Sequence, residues 1–291
     1  MSARELPPPI APTPLLEFLL TALAPMNRTR VKQLLRSGRV MVNGSPTTQH
    51  DDSVVPGDRV SISRDVPAVI APSRGGLTTV FEDDALIVIE KPAGLLTVAS
   101  DTEKLDTAFV LLSAQLAARG QGRPFVVHRL DRDTSGLLMF ARTEEVHERL
   151  QATWDAVTKT YLAVVERVPD PREGVVENFL TEGRDLRVRA SNRAGADAKR
   201  AVTRYRVVLT GRGYSLVEVT LETGRKHQIR VHMAGLGCPV VGDSMYRAKT
   251  DPAGRLALHA WRLAFDHPVT GQRVELESSL PDKLRRIAPR Q

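Results

Sequence analysis

Residues 128–136 read HRLDRDTSG, and they set one carboxylate, Asp131, between Arg129 and Arg132 just after the apolar run Phe125-Val126-Val127. Cations on both sides favour the ionised carboxylate, the form that serves as a nucleophile or general base. Taken alone, an Asp beside two Arg residues is more often a simple ion pair. Other routes to chemistry lack their residues. No GxGxxG, GxxxxGK[ST], HExxH or CxxC occurs, so dinucleotide, P-loop and common zinc readings have no support. His227 and His232 stand five apart rather than at the i, i+4 spacing of a helical metal pair, and no metal or other cofactor is expected. Ser135 lacks the GxSxG turn of a hydrolase nucleophile.

The elements that must position these groups belong to a globular chain. Its 291 residues suffice for one large domain and one small one, and 42% hydrophobic with 26% charged residues is ordinary globular composition. No apolar run approaches the roughly 18 residues that span a bilayer. The start, MSARELPPPIAPTP, has no apolar core of the signal-peptide kind, and residues 1–13 read as a mobile, Pro-rich leader on a cytoplasmic protein. A single cysteine, Cys238, excludes an internal disulfide and a cysteine-based zinc cluster. A net charge of +7 and a pI near 9.8 favour a polyanionic partner such as nucleic acid.

Residues 14–63 read as a small α/β domain: helices over LLEFLLTAL and RTRVKQLLRSG, the second ending at Gly38, then strands around RVMVNG and DRVSIS, with Asn43-Gly44 and Pro56-Gly57 as turns. Arg28, Lys32 and Arg36 follow i, i+4, i+8 spacing along one stripe beside Val31, Leu34 and Leu35, and Arg39 extends the charge. Such a stripe suits phosphates. Residues 64–76 lack periodicity and read as a linker. Residues 77–291 are dominated by strand-length, β-branched segments (LIVIEK, LLMFAR, TYLAVVERV, RYRVVLT, YSLVEVTLE and RLAFDHPVTGQRVELE), with helices over 106–120 and 143–157. Consecutive strands outnumbering helices predict an α+β domain on a mixed, mainly antiparallel sheet.

Two resemblances sharpen this. Residues 14–63 resemble the small RNA-binding module first seen in a ribosomal protein. HRLDRDTSG resembles, position for position, the signature of the RluA family of pseudouridine synthases. EDDALIVIEKPAGLLT, KTYLAVVE, ETGRKHQIRVHMAGLGCPVVGDSMY and LALHAWRLAFDHPVTG resemble that family's other motifs in order, so the likeness runs over about residues 78–280. After KPAGLL the family often continues with Val-His-Pro, whereas this chain has Thr97-Val98-Ala99-Ser100, and Lys226 stands where Thr is common.

The resemblance implies the pseudouridine synthase fold and an isomerase that breaks the N1–C1′ bond of a uridine in RNA and rejoins the uracil through C5, without a cofactor. It implies catalytic roles for Asp131 as nucleophile or base, Tyr161 as the ring stacked on the uracil, and Arg230 as the partner of the carboxylate. It further implies that Arg129 enters the RNA stack, that Leu258 lines the base pocket and that His128 lies among the substrate-binding residues. His227, three before Arg230, supports the site if this stretch is helical. Thr134, Ser135 and Gly136 shape the turn and permit close approach of RNA. The expected partner is structured RNA, with large-subunit ribosomal RNA favoured over transfer RNA, and a monomer is expected. The rival classes are an RNA-binding assembly factor on the same fold, against which intact Asp131, Tyr161 and Arg230 argue, and a nucleoside hydrolase, for which Asp133 is the one nearby second acid.

Overall fold

Two segments, residues 1–75 with 99–106 and residues 76–98 with 107–291, each gather their contacts internally and form separate units. The computed structural model describes residues 3–36, 40–47, 53–63, 76–100, 103, 106–183, 185–195, 197–211 and 213–289. Arg39, Gly38 and residues 64–75 of the expected linker lie outside that set, as does the side chain of Arg36.

The smaller unit runs β1 (Ala3–Glu5), β2 (Thr13–Pro14), α1 (Leu15–Ala22), α2 (Arg28–Arg36), β3 (Val40–Val42), β4 (Ser45–Thr47), β5 (Ser53–Val54) and β6 (Val60–Ser63). Its sheet has the order β1-β6-β3-β4, and β2 pairs with β5. Asn43 and Gly44, at φ 53° and 81°, supply the two left-handed positions that a tight β3–β4 hairpin needs. Leu15, Leu16, Leu19, Val31 and Leu35 from the helices close on Val40, Val54, Val60 and Ile62. Within residues 1–13, read as a mobile leader, residues 3–6 are corrected: Ala3–Glu5 pairs antiparallel with β6, Leu6 N–H donates to Val60 O at 2.9 Å, and Leu6 is buried. The unpaired edge of β6 offers hydrogen bonds that outweigh the local Pro-rich composition.

The larger unit contains β7 (Thr78–Glu82), β8 (Leu86–Lys91), α3 (Ala108–Ala118), β9 (Phe125–Val126), β10 (Ser135–Ala141), α4 (Glu144–Thr153), β11 (Thr158–Glu166), β12 (Glu173–Glu182), β13 (Val188–Ser191), β14 (Lys199–Gly211), β15 (Tyr214–Leu221), α5 (Gln228–Gly235), β16 (Leu258–Asp266), β17 (Arg273–Glu277) and α6 (Asp282–Ile287). Its sheet runs β13-β12-β14-β15-β11-β16-β10-β8-β7, with β17 on β16 and β9 on β10. Only β10 and β16 run parallel among the described pairings, so the fold is α+β on a mixed, mainly antiparallel sheet.

The central strands read as unbroken apolar runs because both faces of the sheet are covered. Ile87, Ile89, Leu138 and Phe140 pack with Leu111, Leu112 and Leu116 of α3 and Ile229 and Met233 of α5. Leu86, Val88, Leu137 and Met139 point the other way, to Val146 and Leu150 of α4. Each such side chain contributes roughly 1.5–3 kcal/mol on leaving water. Thr107 and Thr143 cap α3 and α4 by accepting from Val110 N and Val146 N.

Candidate active site

Asp131 sits in the loop between β9 and β10, and the backbone on either side of it is pinned. Thr97 Oγ1 accepts from Leu130 N at 3.0 Å and donates to Leu130 O at 2.9 Å. Lys91, fully buried, donates from Nζ to Pro92 O, Leu95 O and Arg132 O, and Gly94 N–H donates to Arg132 O as well. The buried ammonium thus has three carbonyl acceptors, which offsets its desolvation. Behind the loop, Arg255 Nη2 donates to Ser135 Oγ at 2.9 Å and Leu258 O at 3.2 Å, and Ser135 Oγ bonds His259 Nδ1 at 2.9 Å. Thr97, noted in the sequence as a departure, is therefore a brace for the loop that carries Asp131.

Gly136 is required by the sheet rather than by RNA. Its φ is 116°, and a Cβ there would lie 2.2 Å from the Ala260 carbonyl oxygen. Ser135 is buried and the close neighbour of Gly136 is β16, whereas Thr134 lines the cleft that holds Asp131.

Asp131, Tyr161, His227, Arg230 and Leu258 line one cleft, with Arg129 and Arg225 also on its walls. Arg230, on α5, approaches Asp131 Oδ2 with Nη1 at 3.6 Å. Its short bonds go elsewhere: Nε to Asp243 Oδ2 at 2.7 Å and Nη2 to Asp243 Oδ1 at 2.9 Å. Burial opposes the charge on Arg230, but the Asp243 pair and the nearby Asp131 outweigh it and hold its pKa above the ordinary value. His227 is not inside the helix: it precedes α5 in a left-handed conformation, φ 54°, and its Nε2 lies 3.9 Å from Asp131 Oδ2.

Tyr161 stands on β11 where the register against β16 shifts between Thr160 and Tyr161, a bulge that re-aims a side chain. It is 9% exposed, and its hydroxyl makes no hydrogen bond among the described residues. Burial, reinforced by the charge of Asp131, pushes the phenol well above its usual range, so it stays protonated at neutral pH. Leu258 begins β16 and is buried. Arg129 is exposed, with no ion pair or hydrogen bond among the described residues.

His128 does not join the cleft. Its Nε2 accepts from Met139 N at 3.0 Å, and its ring stacks on Trp154 with centroids 4.8 Å apart. Trp154 belongs to the α4 side of the sheet, so these contacts hold His128 there, away from the cleft. In the smaller unit, Arg28 is exposed and Lys32 half-buried on α2, while Val31 and Leu35 face the core. Sequence reasoning missed Asp243, Tyr246, Arg225, Lys91 and Thr97; all but Thr97 and Lys91 lie in or beside the ETGRKHQIR…GDSMY stretch, and no spacing rule singles them out.

With this geometry in view, comparisons with known proteins agree. A family model described as RNA pseudouridylate synthase matches residues 85–235. An RNA pseudouridine synthase of Bacillus subtilis (strain 168), YlyB, described as uncharacterized, is 36% identical over 280 residues, covering 93% of this chain and 91% of that protein. The ribosomal large subunit pseudouridine synthase D of Zymomonas mobilis is 32% identical over 287 residues, covering 92% of this chain and 90% of that protein. The solved structure of human RNA pseudouridylate synthase domain containing 4 aligns with a TM-score of 0.59 at 28% identity, over 72% of this chain and 93% of that one. The chain belongs to the RNA pseudouridylate synthase family, of the RluA type, and is an isomerase that acts on RNA.

Proposed function

We propose that the protein converts particular uridines of large-subunit ribosomal RNA to pseudouridine, with Asp131 as the reacting carboxylate and the target nucleotide turned out of its helix. The observation that carries this reading is the cleft in which Asp131 Oδ2 meets Arg230 and His227 beside the Tyr161 ring. The choice of RNA is supported by the names of several relatives, which act on the ribosomal large subunit.

Chemically, the N1–C1′ bond breaks, the uracil rotates, and a C5–C1′ bond forms; C5 gives up a proton and N1 takes one, so nothing is consumed. Asp131 acts at the sugar–base junction, aimed by Arg230. The protonated Tyr161 offers an aromatic face that grips the uracil in either orientation. Leu258 excludes water from the base. Extruding a base from a stack costs a few kcal/mol, and the exposed, planar guanidinium of Arg129 fills the gap it leaves. The smaller unit adds phosphate contacts through Arg28 and Lys32.

The test is Asp131→Asn assayed on ribosomal RNA, together with pseudouridine mapping in cells with and without the gene. The variant is expected to bind RNA and leave every uridine unconverted; retained turnover overturns the role of Asp131. Sites missing from transfer RNA instead of ribosomal RNA would move the substrate.

A further inference from the structure

His227 holds an expensive conformation. A residue with a Cβ adopts φ near 54° only where its surroundings hold it there, and such strain concentrates at functional sites. Here Tyr246 holds it: His227 Nδ1 and the Tyr246 hydroxyl are 2.9 Å apart, and the rings meet edge to face at 83°. The Tyr246 oxygen also accepts from Val188 N–H at 3.0 Å. The phenolic proton therefore has one described acceptor, His227 Nδ1, and a ring nitrogen that accepts leaves the imidazole's own proton on Nε2. That nitrogen is the one facing Asp131 Oδ2. Burial holds the His227 pKa below its ordinary value; Asp131 and Asp243 pull it up, while Arg230 and Lys226 push it down. The ring is neutral at pH 7.

We propose that Tyr246 and His227 form a positioning pair, in which the Tyr246 hydroxyl locks His227 as the Nε2–H tautomer and that N–H steers Asp131 Oδ2. The inference rests on Asp131 being the reacting carboxylate. Arg230 and His227 both make their nearest approach to Oδ2, and Oδ1 accepts no hydrogen bond among the described residues. The carboxylate is thus turned so that one oxygen is held and the other remains for the nucleotide. Separations of 3.6 and 3.9 Å exceed a hydrogen bond, and such contacts commonly tighten when substrate fills the site. A neutral donor orients the carboxylate without placing a second positive charge beside Arg230.

Tyr246→Phe removes one oxygen and keeps the ring that lies 5.1 Å from the Arg230 guanidinium. Nitrogen-15 spectra of the histidine rings, assigned with His227→Gln, are expected to show a protonated Nε2 and bare Nδ1 in the parent enzyme at neutral pH, and loss of that preference in Tyr246→Phe. The single-turnover rate at saturating RNA is expected to fall up to about tenfold in Tyr246→Phe, the scale of one hydrogen bond between neutral groups, with RNA affinity unchanged. His227→Gln, whose amide N–H can stand in for Nε2–H, is expected to retain more activity than His227→Leu. An Nδ1–H tautomer or an imidazolium in the parent enzyme, an unchanged rate in Tyr246→Phe, or a loss confined to RNA affinity overturns the pair. Asp131→Asn in the same assay separates the two ideas. Turnover by that variant sinks the role of Asp131, whereas an inert Asp131→Asn beside a full-speed Tyr246→Phe sinks the positioning pair alone.

Discussion

Asp243 grips Arg230 with both carboxylate oxygens, at 2.7 and 2.9 Å, in a pair whose side chains are 1% and 10% exposed. Arg230 is thereby aimed at Asp131 without being spent on it, because the charge that neutralises the guanidinium comes from a residue outside the cleft wall. Removing one member of a buried pair costs about 3–5 kcal/mol. Asp243→Asn is expected to lose stability on that scale in urea denaturation and to slow single turnover, and an unshifted midpoint would show that Arg230 finds its compensation elsewhere.

Tyr161 tests the difference between a core residue and a stacking platform. Its hydroxyl has no hydrogen bond to lose, so Tyr161→Phe should cost less than about 1 kcal/mol of stability. Tyr161→Leu removes the aromatic face and should nearly abolish turnover while the circular dichroism spectrum stays native. If Tyr161→Leu simply unfolds, the ring is a packing element.

Gly136 ties the reactive loop to the sheet. A methyl group 2.2 Å from the Ala260 carbonyl, at φ 116°, cannot be accommodated without moving β10 from β16. Overpacking and backbone strain each cost about 1–3 kcal/mol, so Gly136→Ala should melt well below the parent protein and turn over slowly. A variant with parental melting would mean that the strands yield more easily than their packing implies.

Acid should destabilise this fold before its carboxylates titrate. Burial, with Lys159 adding to it, lowers the His128 pKa to about 3; burial lowers those of His232 and His259 to about 4. The unfolded chain protonates these rings near the ordinary value of about 6.5, and the folded chain keeps them neutral. Stability is therefore full above about pH 6.5 and falls as pH drops towards 4, by up to about 1.4 kcal/mol per pH unit for each ring. Urea midpoints that stay level across this window would show that the folded protein admits the protons.

The smaller unit makes an electrostatic prediction. If Arg28 and Lys32 contact phosphates, replacing both by Ala should weaken RNA binding and reduce the slope of log affinity against log salt by about 0.7–0.9 per lost contact. An unchanged slope would return α2 to the status of a solvated face.

Much of this molecule is readable in one dimension. HRLDRDTSG announces a carboxylate flanked by cations, LIVIEK and LLMFA read as strands because their side chains are apolar on both faces, and Asn43-Gly44 marks its hairpin through backbone preference alone. The strands β12 and β13 are not legible, since β13 is the edge strand, β12 lies beside it, and both carry few buried side chains. Residues 3–5 were misread because strand formation there depends on an open partner edge, not on local composition.

The reactive motif, the strand-rich character of the larger unit and the apolar faces of the helices follow from residue type and short-range periodicity. Folding in three dimensions gives the short bonds of Arg230 to Asp243 and not Asp131, turns His128 away to Trp154, makes Thr97 and Lys91 brace the loop, and brings the Tyr246 hydroxyl to the ring of His227. Those relationships join residues from different strands and loops, and the distances between them exist only once the strand order β11-β16-β10-β8 has been laid down.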